Sequence, residues 1–193
     1  LVLQANLAED STGSVYGGGS AENNGSDITQ SVAGGLKQGT VFAGSGAGTD
    51  GDITTTVSGG TIDRNLYGGG KVSADSTTLE ISGGTVGMDV YGGIFSANGE
   101  LGTANLTISE GTFGGMVVGG SRVNAGTGTV ATVENVNLTI SGGEFAGNFS
   151  NKDQGAAVFG AGYVYGTGSD ADAAQYKVTG TSTVAVSTDV TGA

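Results

Sequence analysis

The chain has 193 residues, of which 41 are Gly and none is Pro, Cys or His, and its formal charge is −12. The missing Pro and irregular Gly spacing exclude collagen, and the missing Cys excludes disulfides and thiolate metal centres. Six single, scattered cations (Lys37, Arg64, Lys71, Arg122, Lys152, Lys177) make no basic patch, which argues against nucleic acid or an anionic membrane surface as partner.

In chain order, the first stretch, Leu1–Leu7, is apolar but stands outside the register of the later repeats, and residues 1–14 are expected to form an irregular end. From there a two-part phrase recurs: an apolar strand closing on a Gly pair, then a short apolar–aromatic strand closing on a second pair. Its clearest copy is Thr78–Gly93, TLEISGGTVGMDVYGG. The residues before the first pair are Val32, Val57, Ile81, Ile108, Ile140 and Val178. Those before the second are Tyr16, Phe42, Tyr67, Tyr91, Val118 and Phe159. The step from first landmark to second is constant over four copies (Val32 to Phe42, Val57 to Tyr67, Ile81 to Tyr91, Ile108 to Val118), whereas the return varies. A fixed half and a variable half predict stacked repeats with loops on one side.

Alternation assigns the faces. Thr55, Leu79, Leu106, Leu138 and Tyr176, two places before the first landmark, face the core with it. Thr56, Glu80, Thr107, Thr139 and Lys177 face water. Ile62, Val86, Phe113 and Phe145 form a second inward column, and Val41, Leu66, Val90 and Val117 a third. Gly pairs turn the corners. The fold predicted is all-β: a right-handed parallel β-helix (β-solenoid) of about six coils of roughly 25 residues, one segment spanning 1–193 and part of a longer chain. Residues 180–193 are expected to form the other irregular end, and neither end shows a charged cap. A hairpin sandwich fits less well, because Asn-Gly occurs only at Asn24-Gly25 and Asn98-Gly99.

Chemistry is sparse. Without His the commonest general base is missing, and no acid–base cluster repeats, so no enzyme and no cofactor are expected. Asp50, Asp52, Asp170 and Asp172 are weak calcium candidates as hard oxygen donors, against the plainer reading of solvated turns. The only lengthening of the fixed half predicts a projecting loop at Asn148–Gly155. Its polar residues Asn148, Ser150, Asn151, Lys152 and Asp153 are the candidate partner surface, together with the long return Val123–Asn135. The aromatic column reads as core or as an outward strip that stacks sugars. Asn105-Leu106-Thr107 and Asn137-Leu138-Thr139 match a glycosylation pattern but fall inside predicted strands.

The repeated I-S-G-G-T … V-Y-G-G phrase, acidic and Cys-free, resembles β-solenoid passenger segments of bacterial autotransporter adhesins and related surface proteins, from about Val15 to Val190. The resemblance implies an extracellular or bacterial cell-surface location and a structural or adhesive role, with no membrane insertion by this segment. Expected partners are further copies, end to end or side by side, or a host or bacterial surface ligand, protein or glycan. Alternatives are a phage tail or surface-lattice component, or a polysaccharide-binding or -cleaving β-helix. An ice-binding face is disfavoured by Glu80 and Lys177 in the outward column.

Overall fold

The computed structural model describes residues 2–7, 9–21, 23–95, 98–124, 130–145, 158–165 and 175–187. Among them all regular structure is β, no helix occurs, and every strand pairing is parallel. This is compatible with a β-helix, although no sheet closes on itself. The main path of the large sheet runs Val2–Leu7, Asp27–Val32, Asp50–Val57, Ala74–Val86, Glu100–Phe113, Val130–Ile140, Gln175–Val178. A second sheet of two-residue strands runs Val15–Tyr16, Val41–Phe42, Leu66–Tyr67, Val90–Tyr91, Val117–Val118, Val158–Phe159. Arg122–Asn124 and Tyr163–Tyr165 form a third, two-stranded sheet.

Parallel pairing in register sets each repeat position against its own counterpart. Leu7, Val32, Val57, Ile81, Ile108, Ile140 and Val186 follow one another across the large sheet. Val32 to Ile140 are buried in the main aliphatic cluster, with Leu7 packed against it. Leu79, Leu106 and Leu138 lie two residues earlier in the same cluster, and Leu66, Val90 and Val117 of the second sheet close it from the opposite side. The outward positions between them alternate as the pleat requires.

Three expectations need correction. Leu7 is in register, paired with Val32; no Gly pair follows it to mark the position in the sequence. Val178 is not a landmark: Tyr176, Lys177 and Val178 pair with Ala131, Thr132 and Val133. The counterpart of Ile140 is Val186, so Val184 and Ala185 replace Tyr176 and Lys177 in their columns. Val178-Thr179-Gly180 imitates the phrase without its turn. Finally, two strands do not stop at the first Gly pair. Ala74–Val86 and Glu100–Phe113 run through it, with register shifts between Ile108 and Thr112.

The two glycine signals have separate causes. Gly35, Gly60, Gly84, Gly111 and Gly143, the last residue of each first pair, have φ of 68°, 84°, 86°, 125° and 107°, where an L side chain is strained. The residue before needs no such φ, so Glu110 is tolerated beside Gly111. In the second pair the constraint is space: a Cβ on Gly68 or Gly92 would collide with the carbonyl oxygen of Gly92 or Gly119 in the next repeat.

The inward column Ile62, Val86, Phe113, Phe145 contains an unexpected member, Lys37, paired with Ile62 and 1% exposed. Its stem continues the column. Its Nζ donates to the backbone oxygens of Gly34, at 3.0 Å, and Glu9. Lys37 is thus a buried member of the column, between Ile62 and the Ser11 layer to which it is bridged.

Replacing Ile108 by Asp is expected to destabilise the fold by about 4 kcal/mol or more, because the carboxylate would be buried without a partner. Thr139→Asp, on the outward face of the next strand, should change stability by no more than roughly 0.5 kcal/mol. Thermal and urea unfolding of both variants checks the pair; equal effects would contradict the register.

Candidate functional site: an aromatic ladder and its cationic cover

Each two-residue strand of the second sheet sends neighbouring side chains to opposite faces. Val41, Leu66, Val90 and Val117 enter the aliphatic cluster, while Phe42, Tyr67, Tyr91 and Val118 form a separate buried cluster on the other face. The aromatic column is therefore buried but turned away from the aliphatic core. Of the two sequence readings, the structure matches the buried stack, on the face opposite the aliphatic core. The rings of Tyr16, Phe42, Tyr67 and Tyr91 stack with centroid separations of 4.9, 4.9 and 4.7 Å and interplanar angles of 4°, 10° and 7°. Such pairs contribute about 0.5–1.5 kcal/mol each beyond area burial. Val118 interrupts the ladder, and Phe159 follows it, 37% exposed.

A second row covers the ladder. Phe95 packs against Phe42 and Tyr67 at 6.1 and 5.5 Å. Arg122 is bridged to Phe95 on one side and paired with Tyr163 on the other. These residues follow the second Gly pair of each repeat, as in Gly92-Gly93-Ile94-Phe95 and Gly119-Gly120-Ser121-Arg122. The cover is itself a column of the repeat. Lys71 lies 5.2 Å from the centroids of both Tyr16 and Phe42. The Arg122 guanidinium lies 5.4 Å from Phe95 and 4.5 Å from Tyr165, in the range of cation–π attraction.

The polar atoms of the ladder are tied down. Tyr91 Oη donates to Asp89 Oδ2 at 3.0 Å, and Asp89 Oδ1 accepts from the Met116 amide at 2.9 Å. Arg122 Nη1 donates to Tyr67 Oη at 3.3 Å. Burial pushes the Tyr67 phenol up to about 12, against the pull of the Arg122 charge. Burial, with the Asp89 carboxylate adding to it, pushes Tyr91 higher still.

The residues singled out in the sequence do not converge here. Asp50 is fully buried in the column of Ala74, Leu101, Val133 and Val178, and accepts from Asn23 Nδ2 and the Ser45 amide, both at 2.8 Å. Asp52 is exposed and accepts from Ser76 Oγ at 2.7 Å. The two carboxylates thus serve different faces. Among the described residues no group of three or more His, Cys, Asp or Glu could hold a metal ion. Asp170, Asp172, Asn148, Ser150, Asn151, Lys152, Asp153 and the rest of the Asn148–Gly155 segment lie outside the described residues. Of the return Val123–Asn135, Arg122–Asn124 and Val130–Ile140 are strands. Asn105 and Asn137 of the two glycosylation-like triplets pair in register, with Asn137 Nδ2 donating to Asn105 Oδ1 at 2.9 Å.

With Lys177 reassigned, the outward rows are Thr29, Thr54, Thr78, Asn105, Asn137, Thr183 and Ser31, Thr56, Glu80, Thr107, Thr139, Ala185.

The raised phenols give a pH signature. Tyrosines of the unfolded chain ionise near pH 10. Between there and about 12 the folded chain keeps a proton that the unfolded chain has released, so stability falls as pH rises through that window. Below it these phenols contribute no pH dependence. Denaturation followed by tyrosinate absorbance from pH 8 to 12 checks this: the Tyr67→Phe, Tyr91→Phe double variant should lose much of the alkaline slope.

No family model, curated protein or solved structure matches this chain.

Proposed function

We propose that the chain is a right-handed parallel β-helix of about six coils of roughly 25 residues and acts as a structural and adhesive rod at an extracellular cell surface. The observation that carries this reading is the register: the same positions of successive repeats stand one above another across the large sheet, inward apolar and outward polar. Repeats that contact only their neighbours make a stack, and at about 4.8 Å per coil six of them span roughly 30 Å. Such a stack presents the same small polar groups many times along one face, which suits multivalent weak contacts.

The reading is non-catalytic. Asp50 is committed to Asn23 and a backbone amide, and Asp89 to Tyr91 and a backbone amide. The resemblance to autotransporter passengers supports the surface location. The partners proposed are further copies of the chain and a host or bacterial surface ligand.

Sedimentation velocity from low to high salt tests the association. With charge −12, copies repel at low ionic strength and associate as salt shortens the screening length to about 10 Å near 0.1 M. The expected result is an elongated monomer that gains mass with salt. A strictly monomeric species at every salt and at high concentration would refute self-association, and turnover of an acidic polysaccharide would refute the non-catalytic reading.

A further inference from the structure

We propose that Arg122, Tyr163, Tyr165 and Phe159 form a binding site for a neutral glycan, the ligand through which the proposed adhesive rod contacts a surface. The proposal rests on the adhesion reading and names its ligand class.

Two of the exposed large apolar side chains are aromatic, and both belong to this patch: Phe159 at 37% and Tyr165 at 57% exposure. Phe159 and Tyr163 have centroids 5.8 Å apart. Tyr163 and Tyr165 alternate with Val164 in one strand, so they share a face, their Cα atoms about 6.6 Å apart. The Phe159 and Tyr163 rings, tilted by 47°, and the exposed Tyr165 ring, with Arg122 over one face, offer apolar ring surface to the C–H face of a sugar, with a polar edge within reach.

Arg122 supplies that edge. Phe95 and Tyr165 hold its guanidinium by their ring faces, fixing the donor fork. One donor, on Nη1, is used by Tyr67. Nε is buried and out of a ligand's reach, so only the Nη edge can meet one, and no described carboxylate forms an ion pair with Arg122. A guanidinium held in this way recognises oxygens through its Nη edge: a carboxylate, or two neighbouring sugar hydroxyls. Charge decides between them. The chain carries −12, and Asp89 bears on the same cluster. A polyanionic chain would be repelled along the whole surface while meeting one cation at the site. A neutral glycan gains the same hydrogen bonds and stacking without that cost.

The test is affinity electrophoresis of the full chain in native gels containing mannan, dextran, mixed-linkage β-glucan or galactomannan, with alginate as the acidic counterpart. At least one neutral polymer is expected to retard the protein, with little dependence on salt. Tyr165→Ala and Arg122→Gln should each weaken retardation about tenfold, and Arg122→Lys should not restore it, because the fork is lost. Near-UV circular dichroism of the stacked tyrosines reports whether each variant is folded; if Arg122→Gln is not, the exposed Tyr165 decides alone. No retardation by any neutral polymer, retardation unchanged in Tyr165→Ala, or retardation by alginate alone would each overturn the site. If the chain coated on beads still self-associates or adheres to cells while no neutral polymer retards it, the site fails and the adhesion reading stands. If it neither associates nor adheres, that reading fails as well.

Discussion

Parallel pairing without slippage sets the terms for everything else in this chain. In an antiparallel sheet a residue faces a different kind of residue across the ladder; here each position faces its own copy one repeat on, as Ile81, Ile108 and Ile140 do. A slip of one residue would turn every inward side chain out. The interior is therefore a set of columns, most of them of like residues, although Ala74 stands beside Leu101 and Val118 beside Tyr91. Variation in length is confined to the connections, and the strands keep their alternation even where a bulge lets Ala74–Val86 and Glu100–Phe113 continue through the glycine pair.

The same rule accounts for the low charge content. Stacking sets like beside like, and like charges directly opposite one another repel. Thr, Ser and Asn avoid the penalty and can hydrogen-bond along their row, as Asn137 does to Asn105. Glu80 stands in its row with Thr on both sides, so it meets no second carboxylate. Aromatic rings gain most from self-stacking, and the outer face of the second sheet, covered by Phe95 and Arg122, is where the chain collects them.

This logic also sets what could be read in advance. The columns through Val57, Ile81, Ile108 and Ile140 were legible because alternation and the glycine pair point to the same faces. The aromatic face was not: a two-residue strand with both side chains buried has no polar position to mark the outside. Lys37 stands five residues after Val32, where the repeat calls for an inward apolar residue, but its residue type reads as surface, and only the carbonyls of Glu9 and Gly34 show what its ammonium does. Arg122, Phe95 and Tyr163 escaped notice because their column begins after the second glycine pair, in the part of the repeat whose length varies. Val178 misled for the opposite reason: a Thr-Gly dipeptide copied the look of the turn in a segment that pairs with Ala131–Val133.

The columns are not uniform along the stack, and the change has a direction. On the side nearest Val2–Leu7 polar residues replace apolar ones: Gln30 and Thr55 where later repeats have Leu79, Leu106 and Leu138, Asp50 where they have Ala74 and Leu101, and Lys37 where they have Ile62 and Val86. On the other side the columns stay apolar through Val178, Val184 and Val186, the last two 47% and 48% exposed. Adding a layer beside Val184 and Val186 would bury apolar surface. The inward columns thus change from polar to apolar along the stack, and apolar surface is left exposed at Val184 and Val186.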